Sequence, residues 1–149
     1  MTEHSVKHST FTLERAYPVS PKQVFAAWAD RDTKAKWFAA NDASYTLEFR
    51  VGGTETAHGR TDDGGEIVAE SVFHDIVNDE RIVYTTLLYG RSVLATVSVT
   101  TVEFVPEGAS TRLVLTEQDT FLDDQEQPEW RQHGTGAWLD ALGRELRQP

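Results

Sequence analysis

The sequence predicts an α+β fold: a curved antiparallel sheet of about seven strands wrapped round a long C-terminal helix, with two short helices after strand one. Three observations carry this prediction. From Ala43 to Asp119 the chain is a succession of alternating segments separated by turn sequences. One long amphipathic segment follows, from Pro128 to about Arg147. Ahead of the alternating region stands Ser20-Pro21-Lys22-Gln23, a helix start in which Ser20 and Gln23 form a capping box with Pro21 at the first helical position.

The opening strand runs from Thr10 to Tyr17, with Phe11, Leu13 and Arg15 on one side and Thr12 and Glu14 on the other; Pro18 closes it. The capped helix continues to about Asp30 with Val24, Phe25 and Trp28 as its apolar face, and Val19 is placed to staple onto Val24. A second short helix, Asp32 to Phe38, ends on Trp37 and Phe38. From Ala43 the period becomes two, with Tyr45, Leu47 and Phe49 in one phase. Gly52-Gly53, beside Arg50, permits a sharp bend before Thr54–Arg60 resumes the strand pattern. Asp62-Asp63-Gly64-Gly65 is a hairpin turn, followed by strands over Glu66–Val77 and Arg81–Tyr89 joined at Asn78-Asp79-Glu80. In Val93–Val105 the apolar phase switches from Val97 and Val99 to Val102 and Phe104, which predicts a bulge or bend at Thr100-Thr101. The last strand, Thr111–Asp119, turns Leu113 and Leu115 inward. On the C-terminal helix Trp130, Gly134, Ala137, Trp138, Ala141, Leu142 and Leu146 form a broad arc, with Leu139 at its edge and Asp140, Arg144 and Arg147 opposite. No repeat, low-complexity tract or linker interrupts residues 1–149, which read as a single domain.

The composition excludes several chemistries. The chain has no cysteine, hence no disulfide, thiolate metal site or thiol nucleophile. Its formal charge is −10, with Lys and Arg scattered, so nucleic acid and anionic membranes are not expected partners. The polar stretch Met1–Thr10 has no apolar leader segment and no run is long enough to span a bilayer; the expected location is the cytoplasm. His4 and His8 fall in an expected flexible tail. His58, His74 and His133 form no metal-ligand spacing, so neither a metal nor any other cofactor is expected. There is no Gly-x-Ser-x-Gly elbow and no phosphate-binding glycine loop.

Several segments together resemble a known family. Val19–Trp28 is similar to its opening helix, Ala35-Lys36-Trp37-Phe38 to its second, and Phe49-Arg50-Val51-Gly52-Gly53 to its Arg-x-Gly-Gly bend. His74–Thr85 is similar to its central hairpin and Thr111–Gln118 to its last strand. Phe121-Leu122-Asp123 and Arg131-Gln132-His133-Gly134-Thr135 resemble a bacterial subgroup. The family is the SRPBCC, or START-like, superfamily, in the branch named for the activator of the heat-shock-protein-90 ATPase. Gly136-Ala137-Trp138 departs from its Gly-Trp pair by one residue. The resemblance covers Thr10 to Leu146 and implies a helix-grip fold with a cavity between sheet and long helix. In this superfamily such cavities bind lipids, hormones or polyketides, and some members catalyse cyclisation or dehydration.

Within that frame the expected ligand-binding residues are Trp37, Phe38, Phe49, Phe73, Tyr84, Phe104, Glu117, Arg131, Trp138 and Leu142. Glu117 shares strand phase with Leu113 and Leu115, as does Asp119, so its carboxylate points inward; Arg131 lies on the inner arc of the long helix. A buried charge needs a partner, so the two are expected to pair, either as a structural tie or as a polar anchor for a ligand. The leading expectation is binding of a small apolar or aromatic molecule, by a protein more suited to binding than to catalysis. A cyclase or dehydratase using Glu117 or His133 is the alternative. A chaperone-associated or stress-response interaction module ranks third, because no exposed apolar patch is visible in the sequence. The sequence is compatible with a homodimer.

Overall fold

The alternating segments fold into one antiparallel sheet. In the computed structural model, which describes residues 3–148, the elements run β1 (Val6–Tyr17), α1 (Pro21–Ala29), α2 (Arg31–Phe38), β2 (Thr46–Leu47), β3 (Thr54–Arg60), β4 (Glu66–Val77), β5 (Arg81–Gly90), β6 (Val93–Glu107), β7 (Ser110–Leu122) and α3 (Pro128–Leu146). The strand order is β1-β7-β6-β5-β4-β3-β2. Consecutive strands from β2 to β7 are neighbours, and β1 adds to the far side of β7. Met1 and Thr2, at the start of the polar N-terminal stretch, lie outside the described residues. No helix among those described is long and apolar enough to cross a membrane.

The first helix starts as its capping box requires. The Gln23 amide donates to Ser20 Oγ, and the Ser20 amide donates back to Gln23 Oε1. Asp30 then stops α1 and starts α2: its amide bonds Ala26 O, while its carboxylate accepts from the Thr33 amide at 2.9 Å. This one residue sets the angle between the two short helices. Trp28 and Trp37 meet edge to face across that angle at 5.1 Å.

Several expectations need correction. His8 is no tail residue: it pairs with Thr120 in β1, and the Ser5 amide donates to Asp123 Oδ1 at 2.9 Å, which ties down the segment around His4. The strand expected from Ala43 shrinks to Thr46–Leu47. Asp42 holds the chain in a turn by accepting from the Ser44 and His58 amides, and Gly52-Gly53 bends it away again. Gly52 has φ +82°, and a Cβ on Gly53 would lie 2.1 Å from the Glu48 carbonyl oxygen.

No bulge occurs at Thr100-Thr101, where β6 keeps register with both neighbours. The irregularity sits instead at Leu88/Tyr89. Thr96, Ser98, Thr100, Val102 and Phe104 all face inward along one unbroken phase. The apolar phase switches because the inner face itself changes from polar to apolar along the strand, while Val97 and Val99 point outward.

The buried face of α3 also differs from the expected arc. It consists of Thr135, Gly136, Leu139, Leu142 and Gly143, whereas Trp130, Gly134 and Ala137 are exposed. Close approach of β1 explains the shift. A Cβ on Gly136 would lie 3.1 Å from Arg15 Nη2, and one on Gly143 3.3 Å from Tyr17 Cε1. Arg15 donates to Asp140 Oδ1 at 2.7 Å, and the buried Tyr17 hydroxyl donates to Leu139 O at 2.8 Å. These contacts draw the small side of the helix onto the strand and leave Trp130 at the opposite end in solvent.

Candidate ligand-binding site

Strand register sorts the inner face of the sheet into cross-strand rows. At one end Ile82, Val102 and Leu115 lie side by side, all fully buried. The next row is Phe73, Tyr84, Thr100 and Glu117. Then comes a row that is polar throughout: Glu55, Ser71, Thr86, Ser98 and Asp119, each less than 9% exposed. Beyond it Ala57, Ala69, Leu88 and Thr96 are small or aliphatic. The apolar rows carry α1 and the solid aromatic core, where Phe25 packs edge to face on both Phe49 and Phe104. Glu55, Ser71 and Thr86 of the polar row and Ala69 and Leu88 of the outer row line a cavity under the first half of α3.

That cavity has a volume of about 400 Å³. Phe38, Tyr84, Trp138, Leu88, Ile67 and Ala69 supply its apolar walls. Its polar lining is Glu55, Ser71, Thr86, Glu117, Glu126, Arg131 and Thr135. Trp130, 65% exposed, stands at the mouth. Small residues make the space: Ala69 in the outer row and Gly134 on α3 do not fill what larger side chains would.

At the mouth end Arg131 organises the polar groups. Its Nε donates to Glu117 Oε2 at 2.7 Å, its Nη2 to Ser98 Oγ at 3.1 Å, and its Nη1 reaches Glu126 Oε1 at 3.5 Å. Thr100 donates to Glu117 Oε1 at 3.3 Å and Thr96 to Glu126 Oε1 at 2.6 Å. Burial alone would lower the Arg131 pKa, but Glu117, Glu126 and Asp119 outweigh it and hold the guanidinium above its ordinary value. Asp119 lies behind this group. Neither of its buried oxygens meets a hydrogen-bond partner among the described residues. Burial first, and the neighbouring Glu117 second, push its carboxyl up to about 8, so it carries its proton at neutral pH.

At the inner end a buried ion pair closes the cavity. Lys34 and Glu55 are 1% and 2% exposed, and Lys34 Nζ lies 2.6 Å from Glu55 Oε2. The Tyr45 hydroxyl donates to the same oxygen. The ammonium is wrapped by rings, 4.7 Å from the Phe38 centroid and 4.9 Å from that of Trp28. Between the two ends Ser71 and Thr86 share a hydrogen bond of 2.7 Å. Burial, reinforced by the Glu55 and Glu117 charges, raises the Tyr84 hydroxyl far above its ordinary pKa, so it remains a proton donor.

Of the ten expected ligand-binding residues, the structure places Phe38, Tyr84, Glu117, Arg131 and Trp138 in the lining. It places Trp37, Phe49, Phe73, Phe104 and Leu142 in the packed core instead. Trp37 is buried and its Nε1 donates to Ala27 O. His133 is exposed and outside the lining. Sequence reasoning missed Lys34, Glu55, Ser71, Thr86 and Glu126. Lys34 had left a signal, since it precedes Trp37 and Phe38 by three and four residues and so shares their helix face. Among the described residues no three His, Cys, Asp or Glu side chains gather as metal ligands.

Residues 18–147 match the family described as activator of Hsp90 ATPase homolog 1-like protein. A solved protein from Rhizobium leguminosarum shares 34% identity and superimposes with a TM-score of 0.95, over 99% of this chain and 100% of its own. The Mll3558 protein from Rhizobium loti shares 42% identity with a TM-score of 0.89, over 95% and 99% of the respective chains. CalU16 from Micromonospora echinospora has the same fold at 18% identity, with a TM-score of 0.68 over 97% of this chain and 85% of its own. No functionally curated protein matches the chain.

Proposed function

The chain belongs to the family of activator of Hsp90 ATPase homolog 1-like proteins, and on that premise we propose that it binds a small apolar or aromatic molecule in the cavity between the sheet and α3. The observation that carries this reading is the cavity's construction. Its volume of about 400 Å³ suits a molecule of one or two rings, and its walls are aromatic and aliphatic with a few convergent polar groups. The polar row across the sheet supports it further. A row of buried hydroxyls and carboxylates is costly in a core, and here it borders open space that a ligand can fill.

The test is binding of the uncharged fluorescent probe N-phenyl-1-naphthylamine, together with native mass spectrometry of freshly purified protein. One-to-one binding is expected, and Ala69→Phe, which fills the cavity from β4, should abolish it without unfolding the protein. Absence of both probe binding and any retained small molecule would overturn the reading.

A second reading, acid–base chemistry on the bound molecule, rests on Glu117 and Tyr84 sharing one lining. In that case Glu117→Gln would abolish turnover of a substrate that still binds. His133 lies outside the cavity lining, and this reading does not use it.

A further inference from the structure

The distribution of free hydrogen-bonding capacity says what kind of molecule the cavity selects. Both cations at the site already face carboxylates. Arg131 bonds Glu117, Ser98 and Glu126 through its three nitrogens, and Lys34 is paired with Glu55 behind a screen of rings. The carboxylates keep oxygens of their own without a donor. Tyr45 and Lys34 both approach Glu55 Oε2, and no described residue donates to Glu55 Oε1, although the residue is only 2% exposed and lines the cavity. Thr96 and Arg131 both use Glu126 Oε1, and no described residue donates to Glu126 Oε2. The cavity thus holds unpartnered acceptors at both ends.

Charge points the same way. Glu55, Glu117 and Glu126 against Lys34 and Arg131 leave an excess of one negative charge around the cavity. The walls suit a cation: Phe38, which already lies 4.7 Å from the Lys34 ammonium, also lines the cavity, as do Trp138 and, at the mouth, Trp130. A carboxylate ligand would add a further negative charge to this excess and bring no donor to the two acceptor oxygens.

We propose that the occupant is an apolar ring-bearing molecule carrying a protonated amine, its ammonium held at the mouth by Glu126 Oε2 and the Trp130 indole and its rings enclosed by Phe38, Tyr84 and Trp138. This inference rests on the cavity being a ligand site. It adds the charge of the ligand and the residues that select it.

Three probes with one ring system test it: naphthylmethylamine, naphthylmethanol and naphthoate, titrated at neutral pH and low salt by calorimetry. The amine is expected to bind about tenfold tighter than the alcohol, from one carboxylate contact and one cation–π contact at a partly exposed mouth. The acid should bind more weakly than the alcohol. Glu126→Gln should bring the amine to the level of the alcohol measured on the same variant, with folding checked separately by circular dichroism and Tm. Added salt should weaken the amine alone. Equal or tighter binding of the alcohol or the acid, or an amine preference that survives Glu126→Gln, would overturn the inference and leave the cavity as a binding site. Failure of all three probes to bind would overturn the functional reading along with it.

Discussion

Replacing Lys34 by Met is the most informative perturbation of the inner end of the cavity. Methionine keeps the length and apolar character of the lysine stem, so the rings of Trp28, Trp37 and Phe38 retain a packing partner. What disappears is the ammonium 2.6 Å from Glu55 Oε2. Glu55 is then an ionised carboxylate with no cation, in an environment 98% removed from water by its 2% exposure. Breaking such a pair from one side costs about 3–5 kcal/mol. The carboxyl can escape by taking up a proton, which at pH 7 costs about 3.7 kcal/mol relative to a glutamate in water and so caps the penalty. The expected destabilisation at pH 7 is therefore about 3–4 kcal/mol, or roughly 10 °C in Tm for a chain of this size.

The same argument dictates a pH dependence. At pH 5 proton uptake costs only about 1 kcal/mol, so the deficit of Lys34→Met should shrink by about 2–3 kcal/mol on acidification. Adding Glu55→Gln should recover most of the loss at pH 7, because the double variant buries no charge. Urea unfolding at pH 5 and pH 7 for wild type, both single variants and the double variant measures all four quantities. A deficit under 1 kcal/mol at pH 7, or one that does not change between the two pH values, would refute the view that Lys34 acts as the counter-charge of Glu55.

Asp119 makes an opposite kind of prediction. Its carboxyl keeps its proton up to about pH 8 in the folded chain, whereas in the unfolded chain the proton leaves near pH 4. Between those values the folded state binds the extra proton, so its contribution is intact below about pH 4 and falls as pH rises towards 8, by at most about 1.4 kcal/mol per unit. Asp119→Asn mimics the protonated form; it should stabilise the protein at pH 7 and flatten the pH profile of urea unfolding, and a variant less stable than wild type at pH 7 would contradict the assignment. Gly53→Ala should cost more than about 2 kcal/mol in the same assay, because its Cβ would sit 2.1 Å from a backbone oxygen, so the chain itself has to shift. Ser20→Ala removes the side-chain half of the capping box and should cost about 1 kcal/mol, with Tm as the readout.

Much of the fold was legible because it is specified locally. Ser20-Pro21-Lys22-Gln23 carries its own helix start, Gly52-Gly53 its own bend, and strands β3 to β7 follow their period of two to within a few residues. The inward phase of Glu117 and Asp119 came from alternation with Leu113 and Leu115, and both are buried. The pairing of Glu117 with Arg131 followed from the cost of leaving either charge alone, and Arg131 Nε does donate to Glu117. Such readings need only neighbours along the chain.

The rest depended on register and on how closely elements approach. Phe49, Phe73 and Phe104 share inward phase with the cavity residues, and alternation cannot tell a filled row from an empty one. Rows form when five strands align, and that alignment put Glu55, Ser71, Thr86, Ser98 and Asp119 side by side across residues distant in sequence. On α3 a helical wheel ranks positions by hydrophobicity, but burial followed the fit of Gly136 and Gly143 against Arg15 and Tyr17. The sequence by itself determined the elements, their order and the inward charges, because periodicity, caps and turns act over a few residues. Only the tertiary structure decided where the cavity lies and which charges border it, because those depend on cross-strand register and on the seating of one helix, to which every strand contributes.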